Sequence, residues 1–359
     1  MLSDVYSTSR SVAPMIRIYH IGKTLHPRHV FRISRASRPR VDNVFLVLEQ
    51  DGVMGFGEAS PNSFFNEDAS DVGMRLASLP DYFRRQTLSG LDDIGRIWEE
   101  IWDRVAPSRA TQCAIDLALW DLYAKLNAKT VVQAATGLSP VPVATSATLG
   151  LCPREEWPER IEEVADFPAV KVKLAAEVDW DLLAAIRART RADVRVDANG
   201  AWAGADIAAV SERLQALGVE FIEQPLLPSE DDRMEAILRA SRLPILADES
   251  CAGIGDVARL PGRFSGFNVK LVKCGGLTPA LEMVREGKRL GLKVMIGCML
   301  ESSLLIAAGA VAAQTADYAD LDGSWLLRDD PFAGLDLING RIQPNLLPGF
   351  GVSPRLPGD

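Results

Sequence analysis

Three carboxylates stand at the ends of three consecutive apolar runs: Asp197 in VRVDANG, Glu223 in VEFIEQP and Asp248 in PILADES. The gaps between them are 26 and 25 residues. Lysines flank the set, Lys171 and Lys173 in AVKVKL before it, Lys270 and Lys273 in FNVKLVK after it. Carboxylates with no histidine or cysteine nearby form a hard, oxygen-only ligand set that suits Mg2+, with Mn2+ as the alternative, far better than Zn2+. Three protein ligands leave octahedral positions for a substrate carboxylate and a water. Any one of these acids would serve equally as a helix N-cap after a strand. Three in consecutive units, each followed by a polar or turn residue (Asn199, Gln224, Glu249), point to a metal.

The lysines suggest what the metal is for. Lys171 and Lys173 share one face of a strand, because side chains alternate with a period of two. Two ammonium groups inside a barrel need carboxylates or an anionic ligand to compensate them. Their repulsion, together with the metal, would lower a lysine pKa towards neutrality and make Lys173 a usable base. Taken alone, the pair would equally suit two surface lysines with stems laid on apolar neighbours. Lys270 falls nearly across from that strand and would address a substrate carbon from the opposite face. Two bases straddling one carbon beside a metal-held carboxylate describe 1,1-proton transfer through an enediolate, which is epimerisation. Lys273 lies an odd number of residues from Lys270, so only one of them can face inward, and Lys270 is the one assigned.

Elements that repeat must hold these groups. From Val141 to Gly323 eight short β runs alternate with helix-like stretches: VPVATSATLGL, AVKVKL, VRVDAN, EFIEQP, PILADES, GFNVKLV, LKVMIG and ADYADLDG. This alternation predicts an α/β fold, a modified TIM-type (β/α)7β barrel over 141–323 with its site at the C-terminal strand ends. Residues 15–140 read as an α+β capping domain. IRIYHIG and NVFLVLEQDGVMGFGEA alternate around an Asp51-Gly52 hairpin signal, and a helical region follows. In it, ATQCAIDLALWDLYAKLN reads as a packing helix with Asp116 and Asp121 on its other faces. Residues 324–359 return to strand and turn signals that would pack back on the cap. Residues 1–14 lack the apolar core of a secretory signal and read as a disordered tail. A net charge of −9 and a pI near 5.1 argue against nucleic acid or an anionic membrane as partner. The longest apolar run, Leu304 to Ala313, is too short to span a bilayer, leaving the cytoplasm as the default location. Five scattered cysteines argue against a disulfide framework or a structural zinc site. The three histidines, His20, His26 and His29, all lie near the N-terminus, away from the acids.

The motifs KVK, VDANGAW, IEQP, ADES, NVKLVKCGG and AIDLALWDLYAK together resemble the muconate-lactonising subgroup of the enolase superfamily, over about residues 15–359. The resemblance implies that Lys173 and Lys270 are the acid/base pair and that Asp197, Glu223 and Asp248 bind Mg2+. The eighth run carries Asp320-Leu321-Asp322, which resembles the dipeptide epimerases, where such a pair binds the α-ammonium of the substrate. Two carboxylates on one face attract a cation. A turn or capping role before Gly323 is the plainer alternative. The resemblance also puts the basic stretch 28–40 in a loop over the site. There Arg32 or Arg35 could hold a side-chain carboxylate, suggesting an Ala-Glu-like dipeptide, unless the stretch is simply a solvated basic loop. Cys298 and Glu301 after the seventh run are further candidates for the pocket. The expected activity is a Mg2+-dependent dipeptide epimerase, with a homo-oligomer left open. Its rivals are a muconate cycloisomerase or an N-acylamino acid racemase or o-succinylbenzoate synthase-like enzyme on the same scaffold. A third alternative is a non-catalytic barrel that binds a metal-carboxylate ligand.

Overall fold

The computed structural model describes residues 15–355, so the expected tail at 1–14 lies outside the described residues. The chain opens with an antiparallel sheet of Arg17–Leu25, Val41–Gln50 and Val53–Ala59, the long middle strand pairing with both others. Asp51 and Gly52 turn the last two strands with both residues left-handed (φ 54° and 80°), the geometry that a right-twisted two-residue hairpin requires. A second, small hairpin, Phe31–Ile33 with Ala36–Arg38, interrupts the first connection and carries the basic stretch.

The sheet packs on the helix Arg109–Leu126, which is buried almost all round. Strand and helix approach so closely that a Cβ at Gly57 would lie 1.9 Å from the Ala114 carbonyl oxygen. The sequence reading put Asp116 and Asp121 on the helix's other faces, and the structure buries both. Asp116 accepts from the backbone N–H of Thr278 (2.9 Å) and from its hydroxyl (2.5 Å), at the start of the barrel helix Leu277–Arg289. Asp121 accepts from Phe56 N, Phe350 N and Lys125 Nζ. Each carboxylate therefore satisfies backbone donors of other segments, which compensates its removal from water.

Eight parallel strands form the barrel in chain order: Ser146–Leu149, Ala169–Lys173, Asp193–Asp197, Val219–Glu223, Ile245–Ala247, Gly266–Lys270, Lys293–Gly297 and Tyr318–Asp320. Each is followed by helix, reduced to four residues after the fifth strand (Ile254–Val257) and after the eighth (Gly323–Leu326). Parallel register aligns the rim: Lys173 is paired with Asp197, Asp197 with Glu223, Lys270 with Gly297, and Gly297 with Asp320. Below the rim Phe221, Leu246 and Met295 form an apolar plug. No backbone ladder joins the eighth strand to the first among the described residues. Side chains close that seam instead. Ser146 Oγ donates to Asp320 (2.6 Å), Thr148 N to Asp322 (2.6 Å), and Leu321 N to Thr145 Oγ1 (2.7 Å).

The C-terminal segment touches both halves. Phe332 packs on Phe45 and Phe56 of the first sheet, at 5.6 and 5.8 Å between ring centroids. Arg341–Ile342 pairs with Val143–Ala144 just ahead of the first barrel strand. A buried joint fastens the cap to the loop after the seventh strand. Glu58 accepts from Asn43 Nδ2 (2.8 Å), Ser302 N (3.0 Å) and Ser302 Oγ (2.5 Å). Among the described residues, no helix is long and apolar enough to cross a membrane.

Candidate active site

The barrel rim, the small hairpin and the cap loop Ser60–Phe65 enclose a cavity of about 240 Å3. One carboxylate oxygen each from Asp197, Glu223 and Asp248 lies within 4.8 Å of the others, all three residues are buried, and Asp248 lines the cavity. Two of the loops that carry these acids leave their strands through strained backbone. Gln224 (φ 38°) and Asn199 (φ 46°) are left-handed without being glycine. Gln224 compensates by tying neighbouring loops together: its Oε1 accepts from Asp248 N (2.7 Å) and Ser250 N (3.1 Å). The acids are therefore held by backbone contacts before any ligand arrives.

The lysines interleave with the acids. Lys173 Nζ lies 2.5 Å from Asp197 Oδ2, and Lys270 Nζ lies 2.8 Å from Asp248 Oδ2. These lysines come from the second and sixth of eight staves, so they face each other across the barrel. Lys171, 2% exposed, lies 2.7 Å from Asp320, 2.8 Å from Glu223 and 3.2 Å from Asp197. The parity argument against Lys273 fails. The sixth strand ends at Lys270, and the helical turn Leu271–Cys274 swings Lys273 back inside. Its ammonium reaches Asp248 Oδ1 (2.7 Å) and three backbone carbonyls, those of Asp248, Cys251 and Asn268. Both lysines thus grip the same acid.

Charge sorts the group. Burial works against ionisation of Asp197, but Lys173 and Lys171 bring its carboxyl down to about 2. Burial likewise opposes Asp248, and Lys270 and Lys273 hold it well below the usual range. Glu223 is pushed up to about 7 by burial and by Asp197. At Lys171 repulsion between the lysines is outweighed by the surrounding acids. Burial also presses its pKa down, yet Asp320, Glu223 and Asp197 raise it well above the ordinary value. Lys270 is also raised, by Asp248 against burial.

The donor set fits a hard dication. The triad supplies three oxygens, Asn268 Nδ2 holds Glu223 Oε1 at 2.8 Å, and Glu223 Oε2 meets the Lys171 ammonium at 2.8 Å without an aligned hydrogen bond. A carboxyl raised to about 7 among other acids is one still short of positive charge.

Asp320 and Asp322 line the cavity from the end of the eighth strand, three strands beyond Asp248. Asp320 is held below its usual range by Lys171, against burial. Burial and Asp320 push Asp322 up to about 7. Cys298 lines the same wall with its sulfur 3.9 Å from Asp322, and burial and that carboxylate raise its thiol well above the ordinary value. Glu301 is buried behind the wall, accepts from Met299 N (2.9 Å), and is raised by burial to about 8. It does not line the cavity.

The hairpin separates its arginines. Arg32 points away from the cavity, since Phe31 and Ile33 occupy the facing positions of that strand. Arg35 reaches in, but it donates to Asn199 O (2.6 Å) and ion-pairs with Glu249, so it latches the hairpin to the loops that carry Asp197 and Asp248. Arg38, which the sequence reading did not single out, lines the cavity beside it. Period-two counting along Ala36–Arg38 would have found it, once the basic stretch was recognised as a hairpin.

Two family profiles match. Residues 15–134 match the mandelate racemase / muconate lactonizing enzyme N-terminal domain, and residues 155–357 match the enolase C-terminal domain-like family. The chain is 34% identical over 326 residues to an L-Ala-D/L-amino acid epimerase of Flavobacterium johnsoniae, covering 91% of this chain and 96% of that protein. It is 35% identical over 339 residues to a hydrophobic dipeptide epimerase of Roseobacter litoralis, covering 91% and 96%. Its fold is similar to a dipeptide epimerase from Methylococcus capsulatus solved with Mg and the dipeptide L-Arg-D-Lys. The TM-score is 0.88 at 31% identity, over 94% of this chain and 99% of that one.

Proposed function

Because the chain belongs to the mandelate racemase/muconate lactonizing enzyme family of the enolase superfamily, we propose that it is a Mg2+-dependent dipeptide epimerase. It inverts the α-carbon of the C-terminal residue. The observation that carries this reading is the opposition of Lys173 and Lys270, each ion-paired to a different acid of the triad. A barrel that only bound a metal-held carboxylate would need neither lysine. The relatives named above are epimerases, and one was solved holding Mg and a dipeptide.

Asp197, Glu223 and Asp248 would hold the metal. When bound, Mg2+ supplies positive charge for the substrate carboxylate and the enediolate, and it competes with the lysines for the acids. Whichever of Lys173 and Lys270 is the neutral amine removes the α-proton from its own face, and the other, as an ammonium, delivers its proton from the opposite face. Lys171 stays cationic between Asp320 and the triad and steadies both. Asp322 receives the substrate's ammonium: its carboxyl, raised to about 7, gains most from a cation. The plug of Phe221, Leu246 and Met295 closes the floor to water.

The test is α-deuterium incorporation into a dipeptide library in D2O with Mg2+, read by mass spectrometry. Exchange in at least one dipeptide is expected, and none in any would sink the reading. Asp322→Asn keeps an acceptor for Thr148 N but removes the charge. It should weaken kcat/KM for dipeptides about 10- to 100-fold. An N-acylamino acid racemase or a cycloisomerase, whose substrates lack the ammonium, would show no such loss.

A further inference from the structure

A second cleft shares the segment that follows the eighth strand. Leu326 lines the catalytic cavity, whereas its neighbours Trp325, Leu327 and Arg328 line a separate cleft of about 720 Å3. The first strand and its exit, the post-barrel segment and the C-terminal segment all contribute to its walls. Four cations line it, Lys23, Arg28, Arg328 and Arg355, and all are exposed. The whole chain carries a net charge of −9, so the cleft reverses the sign of the molecule locally. None of the four pairs with a carboxylate among the described residues.

The cleft also holds two acids, but both are engaged elsewhere. Asp329 accepts from His26 N (2.7 Å) and meets its ring Nδ1 (2.7 Å). Asp330 accepts from Ser303 N (3.1 Å) and Phe332 N (3.1 Å), at the start of the helix Ser303–Ala313. Two of the arginines, by contrast, are anchored without being neutralised. Arg28 donates from Nε to Leu327 O (3.4 Å) and lies 5.4 Å over the Trp325 ring. Arg355 donates from Nε to Asp330 O (3.1 Å). The terminal nitrogens of both make no hydrogen bond among the described residues. Cations gathered in a concave site repel one another, and the concavity focuses their field on any anion that enters. Guanidinium forks take phosphate or carboxylate oxygens two at a time.

We propose that this cleft binds a small polyanion, one with at least two phosphate or carboxylate groups, at a site separate from the catalytic cavity. A polyanion engages several of the cations at once, which a single small ion does not. Arg28 N donates to Leu326 O (2.7 Å) and Arg328 N to His26 O (3.0 Å), so the two straps that carry these arginines are already joined. An anion held by Arg28 and Arg328 fastens the same straps, one leading into the small hairpin and the other leaving Asp322. The proposal does not depend on the epimerase reading.

The test is calorimetric titration of the full chain with pyrophosphate, citrate and orthophosphate. It is run without added Mg2+, which chelates polyanions, and at about 50 mM NaCl, where screening is weak. Pyrophosphate or citrate should bind at least about tenfold more tightly than orthophosphate, and the tighter of the two names the oxyanion class. Arg328→Gln and Arg355→Gln should each weaken that binding about 5- to 20-fold. The Arg328 side chain has no hydrogen bond to lose among the described residues, so its replacement leaves the fold intact. Hydrogen exchange with the polyanion present should slow in peptides covering 26–28 and 326–328, and not in those covering 60–65 beside the catalytic cavity. No polyanion bound below about 1 mM would overturn the proposal. So would equal affinity for orthophosphate, the mark of scattered single charges, or binding that survives both substitutions but is lost in Arg38→Gln, which places the anion in the catalytic cavity.

Discussion

Lys173 and Lys270 make a prediction about faces rather than rates alone. Each is fixed by one acid, so removing one lysine leaves the other in place. Lys173→Ala and Lys270→Ala should each lower epimerisation about 10²- to 10⁴-fold. Each variant should still exchange the α-proton of one epimer, and the two should choose opposite epimers. Chiral chromatography of substrate recovered from D2O would read this, and loss of the same epimer in both variants would contradict opposed bases. The sequence disclosed the triad because 25- and 26-residue spacing is a property of repeated units. It hid how the hairpin arginines are held, because a guanidinium is judged by its partners, and Asn62 for Arg38 and Glu249 for Arg35 come from other segments of the chain.

At the scale of elements, periodicity made all eight barrel strands legible, since alternating β and α runs leave their mark in any sequence. What it missed was a single change of period. A strand that continued past Lys270 would have turned Lys273 outward, but the helical turn Leu271–Cys274 replaces a period of two with one near 3.6. The turn thereby supplies Asp248 with a second lysine and uses up three carbonyls. Lys273→Met should cost about 3 kcal/mol in urea unfolding, since it leaves buried acceptors unpaired. A loss below about 0.5 kcal/mol would mean that water or Lys270 replaces it. The hairpin Phe31–Arg38 shows the same limit. Its arginines were visible, but which face each occupied depended on a turn at Ser34-Arg35 that composition does not announce.

Across the whole molecule, cap and barrel meet at polar joints that no local pattern reveals. Glu58, Asp116 and Asp121 look like surface acids in the sequence, and each is buried because its partners come from another layer. Glu58 should make stability depend on pH. Its carboxyl is raised from 4.5 to about 7, burial being the main cause. The folded protein therefore keeps a proton that the unfolded chain releases, and stability falls as pH rises from about 4.5 to about 7. Glu58→Gln should remove up to about 3 kcal/mol of that decline, measured by urea unfolding at pH 5 and pH 8. Identical pH profiles for the two proteins would show that the joint does not titrate. The seam between the eighth and first strands bears on how such an enzyme can change. Asp320 and Asp322 stitch the barrel shut there. Exchanging Asp322 to suit a substrate without an ammonium thus loosens the closure and frees strand edges that other chains can pair with. The hairpin bears no such duty. Divergence should run through it first, with new side-chain preferences arising while the seam, and with it the ammonium requirement we propose for Asp322, is inherited unchanged.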